Sequence, residues 1–343
     1  MTTRLERELR EQPEALARLL DRQSGNAQEL GALFHRDDVN YILIASRGSS
    51  SNAARYAQYL LGRANRVPVA FATPSLYTLY EQPPRLRGAL VIGISQSGES
   101  PDVRAVVEEA RRQGRPTIAI TNRADSPLAA SAGAVLPLEA GDELSVAATK
   151  TYMNSLGAIA LLFASATRDA VARRELAAMP ERIEAQLAQS SRDAAALHGI
   201  DGGTVVARGI NYGTAFEIAL KIRELSGLLF EAWSAADLMH GPVAALAPGW
   251  PVLAVAPSGP TLASMTAVIE GLAERGARLV VIADAEEVLA RASAPMRLVA
   301  DVPEWLSPLT SVIPGQLAAV QLARQAGGDL DSPHGLSKIT LTR

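Results

Sequence analysis

Short apolar runs alternate along the chain with longer stretches whose apolar residues recur at helical spacing. Residues 41–45, 67–71, 89–94 and 117–120 are continuous apolar runs, the pattern of strands covered on both faces. The spacing predicts helices over 53–62, 101–113 and 147–167, with Pro101 at a helix start behind a capping Ser100. The second half repeats the scheme, with strands over 204–207, 252–255 and 278–282 and helices over 216–228, 261–275 and 316–325. Strand and helix in alternation argue for an α/β protein built on mainly parallel sheets flanked by helices.

The halves also match directly. Arg47-Gly48 after the first strand corresponds to Arg208-Gly209, 161 residues later, and Ser97-Gly98 to Ser258-Gly259 at the same offset. Gly114 and Gly276 end corresponding helices. A near-constant offset across three landmarks indicates an internal duplication. Two similar domains are expected, 25–170 and 195–343, joined by Ala- and Arg-rich helices between 168 and 200.

In residues 93–100, GISQSGES, the apolar run stops and hydroxyls at Ser95, Ser97 and Ser100 flank Gly98 just before a helix. Glycine lets the backbone approach a ligand, and a helix start presents N–H groups and a partial positive charge. Serines add neutral donors. The combination suits a phosphate monoester at the carboxyl ends of parallel strands; the alternative is a plain cap and turn. Residues 46–52, SRGSSSN, repeat the arrangement and are expected beside it. Neither loop has the G-x-G-x-x-G or the G-x-x-x-x-G-K-[ST] pattern, so dinucleotide and nucleotide P-loop sites are disfavoured. The matching loop of the second half, 256–261, has lost the S-x-S pair and carries prolines that remove donors. One phosphate site is expected, in the first half.

Glu217, Lys221 and Glu224 fall at i, i+4 and i+7 on one helix face. They form either an exposed ion-pair stripe or, because the helix follows the 208–212 loop at the second ligand edge, a carboxylate placed to move protons at carbon. In 237–242, DLMHGP, the Gly-Pro pair holds His240 in a fixed loop and can present its imidazole, although a lone histidine is usually inert. Lys150 ends VAATK, behind the acids Glu139, Asp142 and Glu143, as a helix N-terminal charge or a site lysine. Tails usually fray, but Leu336 and Ile339 around Lys338 suggest a docked one.

Composition narrows the chemistry. Of 343 residues 48% are hydrophobic and 20% charged, with a net charge of -3, which is globular and lacks the basic footprint of a nucleic-acid binder. The absence of cysteine excludes thiol nucleophiles, Cys-ligated zinc and iron–sulfur clusters. The four histidines (His35, His198, His240, His334) include no pair at metal-ligand spacing. The N-terminus has no apolar signal region, and the longest apolar stretch, 156–166, is too short to span a bilayer. A cytoplasmic protein without membrane or nucleic-acid partners, metal or cofactor is expected.

The motifs SRGSS, ISQSGES, VAATK, EIALKIRE, LMHGP and GLSK, in this order over residues 25–343, resemble the two-domain sugar isomerase (SIS) family. Within it they resemble the isomerase half of glucosamine-6-phosphate synthase and, more closely, type II glucosamine-6-phosphate deaminase. The resemblance implies two tandem SIS domains, each a flavodoxin-like three-layer fold. It implies phosphate binding by Ser50, Ser95, Gln96, Ser97 and Ser100, and sugar contacts at Val146 and Ala148. It assigns proton transfer between C1 and C2 to Glu224 and ring opening to His240, contributed from the other subunit of a homodimer. Lys221 becomes a site lysine and Lys338 the C-terminal lysine that reaches the carbonyl end. Ala148 stands where the synthase has serine, and A-A-T-K is the deaminase form. With no cysteine and no glutaminase domain, the chain is expected to release ammonia from glucosamine 6-phosphate rather than make it from glutamine. The rivals are a fructosamine-6-phosphate deglycase, an isomerase subunit that takes ammonia from a partner, and a non-catalytic sugar-phosphate sensor.

Overall fold

The computed structural model describes residues 2–193, 197 and 199–338. The chain forms two compact units. One, the serine-loop unit, comprises Glu11–Glu143 and Ala148–Pro180 together with Ser337 and Lys338; the second comprises residues 2–10, Leu144–Ala147 and Glu181–Leu336.

The serine-loop unit is built on a parallel sheet of β1 (Tyr41–Ser46), β2 (Val69–Phe71), β3 (Ala89–Ile94), β4 (Thr117–Thr121) and β5 (Ala134–Pro137). The order is β2-β1-β3-β4-β5, as in flavodoxin-like sheets. β1 and β3 pair from Tyr41 opposite Ala89 to Ser46 opposite Ile94. Chain order reverses between them, so the loops after both strands open at one crevice. Val91, Ala119, Val103, Val107 and Leu128 pack one face of the sheet. The apolar stretch 156–166 lies in the helix Lys150–Thr167, buried from Lys150 to Ala166. Gly157 lets the helix Gln12–Gly31 approach closely, since a Cβ there would meet Leu16 Cδ1 at 2.4 Å.

The second unit carries β6 (Gly202–Ala207), β7 (Leu229–Ser234), β8 (Pro251–Val255), β9 (Arg278–Ala283) and β10 (Ala294–Arg297). Its order, β10-β9-β8-β6-β7, is the first sheet's order read from the other edge, and every pairing is again parallel. The duplication inferred from the 161-residue offset is therefore a duplication of topology. The helix Tyr212–Ser226 packs on Ser307–Gln325 at a close crossing, where a Cβ on Gly315 would stand 2.3 Å from Ile218 Cγ1.

Several boundaries differ from expectation. The helix placed at 53–62 spans Gly48–Asn65, so Ser49, Ser50 and Ser51 are helical. The last helix begins at Ser307 and runs through Pro314, where proline rules would stop it. No helix among the described residues is long and apolar enough to cross a membrane. His198 and Ile339 lie outside the described residues.

Candidate functional site: a serine crevice and a buried lysine–carboxylate cluster

In the serine-loop unit the two predicted loops meet at the crevice between β1 and β3. Ser95 Oγ accepts the Gly98 N–H at 3.2 Å and lies 3.3 Å from Ser100 Oγ. Ser97 Oγ accepts the Glu99 N–H at 3.2 Å. The Gln96 carbonyl is tied down by the Asn122 N–H at 3.1 Å and the Thr121 hydroxyl at 3.3 Å. Gly98 has φ +68°, and a Cβ there would stand 2.0 Å from Ser126 Oγ, so the turn admits only glycine. Across the crevice Ser46 Oγ lies 3.1 Å from Ser51 Oγ, and Ser50 sits in the first turn of Gly48–Asn65. First-turn N–H groups lack intrahelical acceptors. The helices Gly48–Asn65 and Pro101–Arg112 thus both begin at a serine-lined crevice, an arrangement that receives an anion. Arg47 Nε donates to the buried Asp102 carboxylate at 2.6 Å and ties the two loops together.

In the second unit the corresponding loop meets acidic side chains instead. Asp284 Oδ1 accepts the Ser258 N–H at 2.7 Å. Glu304 lies over Gly259, where a Cβ would meet its Cγ at 2.5 Å.

The helix Tyr212–Ser226 carries a buried cluster, which excludes the exposed stripe. Glu217 is fully buried and Lys221 is 1% exposed. Lys221 Nζ hydrogen-bonds Glu224 and lies 3.6 Å from Glu217 Oε1. Glu224 keeps 25% of its side chain accessible. Glu224, expected at the second sheet's ligand edge, is instead in the last turn of the helix, about 18 Å along the axis from Tyr212 at its start. His240 follows the short helix Ala235–Met239 and is exposed, and Gly241 at φ +143° fixes the turn after it.

The VAATK segment is held at several points. Within the second unit the buried Glu8 accepts the N–H groups of Leu144 at 2.5 Å and Ser145 at 3.3 Å, and the Val146 N–H reaches the Asp331 carbonyl at 3.5 Å. Ala148, in the serine-loop unit, is partly buried. Within the serine-loop unit Lys150 is buried and paired with Glu11, which makes it a structural charge at the start of its helix. Glu143 accepts the N–H groups of Thr149 at 2.9 Å and Thr151 at 3.0 Å, the Thr151 hydroxyl at 2.6 Å and the Lys338 ammonium at 2.7 Å.

Sequence reasoning named Glu143 only as one of three acids before Lys150, and passed over Glu8 and the pairing of Arg47 with Asp102. One signal was available. Lys150, Lys221 and Lys338 are the only lysines among 33 basic residues, and each meets a carboxylate. Among the described residues no group of His, Asp and Glu side chains is arranged to hold a metal.

The SIS domain model matches residues 37–165 and 204–325, one match in each half of the chain. A glutamine–fructose-6-phosphate aminotransferase of Leifsonia xyli is 32% identical over 97% of this chain and 58% of its own length, so the chain spans a little over half of that relative. The C-terminal domain of glucosamine-fructose-6-phosphate aminotransferase from Francisella tularensis superposes with TM-score 0.84 at 25% identity, covering 97% of this chain and 98% of that one. Glucosamine-6-phosphate deaminase from Thermotoga maritima superposes with TM-score 0.81 over 99% of this chain and 100% of its own; at 20% identity the likeness is one of fold.

Proposed function

The chain belongs to the SIS domain family, and from that premise we propose that it is an amino-sugar-phosphate isomerase that converts glucosamine 6-phosphate to fructose 6-phosphate and ammonia. The observation that carries this reading is the serine crevice. Hydroxyls of Ser95, Ser97 and Ser100 surround a glycine-only turn at a helix start, the donor chemistry that suits a phosphate monoester. Relatives named as aminotransferases of fructose 6-phosphate support a hexose-phosphate substrate and an isomerase-type reaction.

In this reading Ser50, Ser95, Gln96, Ser97 and Ser100 hold the phosphate, and the segment with Val146 and Ala148 borders the sugar. His240, from the second subunit of a homodimer, assists opening of the pyranose to the C1 aldehyde. Glu224 takes the C2 proton, and the electron pair moves to the C1 oxygen, which is protonated to give an enaminol. Return of the proton at C1 leaves a C2 imine, and water hydrolyses it to the ketone with loss of ammonia. Lys221 holds the Glu224 carboxylate, and Lys338 stabilises negative charge developing at the carbonyl end. The C1 carbonyl makes the C2 proton acidic, because it takes up the electron pair that the proton leaves behind.

The test is ammonia release from glucosamine 6-phosphate, with a fructosamine 6-phosphate as comparison substrate. Release from the first, abolished in Glu224→Gln while hexose 6-phosphate still binds, is the expected result. Preference for the second substrate makes the protein a deglycase. Binding without release from either makes it a sensor. Full turnover by Glu224→Gln removes that residue as the base.

A further inference from the structure

We propose that Glu143 is the positioning residue for Lys338: a buried carboxylate that fixes the Lys338 ammonium beside Thr149 and Thr151, at the start of the helix Lys150–Thr167. The inference rests on the reading of Lys338 as a site lysine.

The Glu143 side chain is fully buried, and its carboxylate has four donors. Three of them, from Thr149 and Thr151, come from the start of the helix Lys150–Thr167, whose capping residue makes no side-chain cap of its own. Glu143 therefore caps that helix from outside it. Neutral donors alone do not offset the burial of a full charge; a cation does. That cation arrives from 195 residues away, on the tail. The converse holds for Lys338, whose side chain is 23% accessible. An ammonium has three donors, so one hydrogen bond to Glu143 fixes its place and leaves it reachable.

The same carboxylate also closes a loop. By bonding the Thr149 N–H it pins the two ends of residues 144–148, the segment with Val146 and Ala148. Within the serine-loop unit one side chain thus holds both the start of the helix Lys150–Thr167 and the lysine assigned to the carbonyl end. A docked tail also explains why Ser337 and Lys338 cluster with the serine-loop unit although they follow the second unit in sequence.

The experiment uses the whole chain and an amine-acylating reagent read by mass spectrometry, which is tractable because the chain has three lysines and the other two are buried. In Glu143→Gln, Lys338 should be acylated several-fold faster than in wild type. With glucosamine 6-phosphate, kcat should fall about 10²-fold while KM moves little. The double variant with Lys338→Met should be no slower than Lys338→Met alone. In thermal melts the two single losses should exceed the loss in the double variant, since each single change strands a partner. Unchanged acylation, or additive melting shifts, would overturn the docking. Faster acylation with undiminished kcat would overturn the positioning role. If wild type releases no ammonia from any amino-sugar phosphate, the proposed function fails, while acylation and melts still decide the docking.

Discussion

Arg47 Nε donates to Asp102 Oδ2 at 2.6 Å, across the crevice between β1 and β3. Asp102 is buried in the first turn of Pro101–Arg112, where its other oxygen accepts the Val103 N–H at 2.8 Å. The Arg47 side chain is 51% accessible. The pair joins the two serine loops and places a guanidinium at their mouth. Asp102→Asn keeps the shape and removes the charge. Because Arg47 is half in water, the stability cost should be only about 1 kcal/mol. The effect should appear in binding instead, as a roughly fivefold loss of affinity for a hexose 6-phosphate by titration calorimetry. Unaltered affinity would show that the bridge has no part in the crevice.

Gly98 and Gly48 separate backbone strain from steric conflict at one site. Both have positive φ, +68° and +52°. A Cβ on Gly48 meets nothing within 4 Å, whereas one on Gly98 would stand 2.0 Å from Ser126 Oγ and 2.4 Å from Ser126 Cβ. Gly48→Ala should therefore cost about 1 kcal/mol in urea unfolding. Gly98→Ala adds the displacement of Ser126, a buried capping residue, and should cost about 3 kcal/mol and abolish phosphate-ester binding. Equal losses for the two variants would contradict this geometry.

The central strands β1, β3, β4, β6, β8 and β9 were legible because burial on both faces leaves continuous apolar runs. The strands that escaped, β5, β7 and β10, are sheet edges; β2, expected to be covered on both faces, is the fourth edge and leaves Ala70 exposed. An edge strand is half covered, and β7 shows it, with Leu229 77% exposed and Glu231 in mid-strand. The two serine loops could be picked out because each is a short contiguous run of Gly and Ser after a strand, and their meeting between β1 and β3 follows from the strand order. Glu143 was not, because its role depends on a partner 195 residues away. The polar first turn of Gly48–Asn65 read as loop because Ser49, Ser50 and Ser51 carry no apolar periodicity.

Acid should weaken the serine-loop unit through Glu143. Burial pushes its carboxyl up, but the Lys338 charge and hydrogen bond, the Thr151 hydroxyl and the Thr149 N–H outweigh this and hold it below the ordinary value of 4.5. A carboxyl depressed in the folded state adds stability that is complete above its unfolded value and is lost as pH falls through the folded one. Wild type should hold this increment at neutral pH and lose it only below pH 4.5. Glu143→Gln should be less stable at pH 7, and the gap to wild type should narrow in acid. A gap independent of pH between 7 and 3 would show that Glu143 is not ionised in the folded chain.

Lys221 offers the sharpest test of the buried cluster. Its ammonium is the cation the structure places between Glu217, fully buried, and Glu224, partly accessible. Lys221→Met preserves length and apolar packing but removes a positive charge 3.6 Å from the buried Glu217 carboxylate. Removing one partner of a buried ion pair costs about 3–5 kcal/mol, most of it the penalty on the charge left behind. Adding Glu217→Gln should restore a large part of that loss, because the stranded charge is then gone. Activity should not return with stability, since Glu224 would still lack the ammonium that holds its carboxylate. Chemical denaturation of the single and double variants, with ammonia release from glucosamine 6-phosphate measured on each, separates the two roles. A double variant that regains turnover together with stability would assign Lys221 to the fold alone.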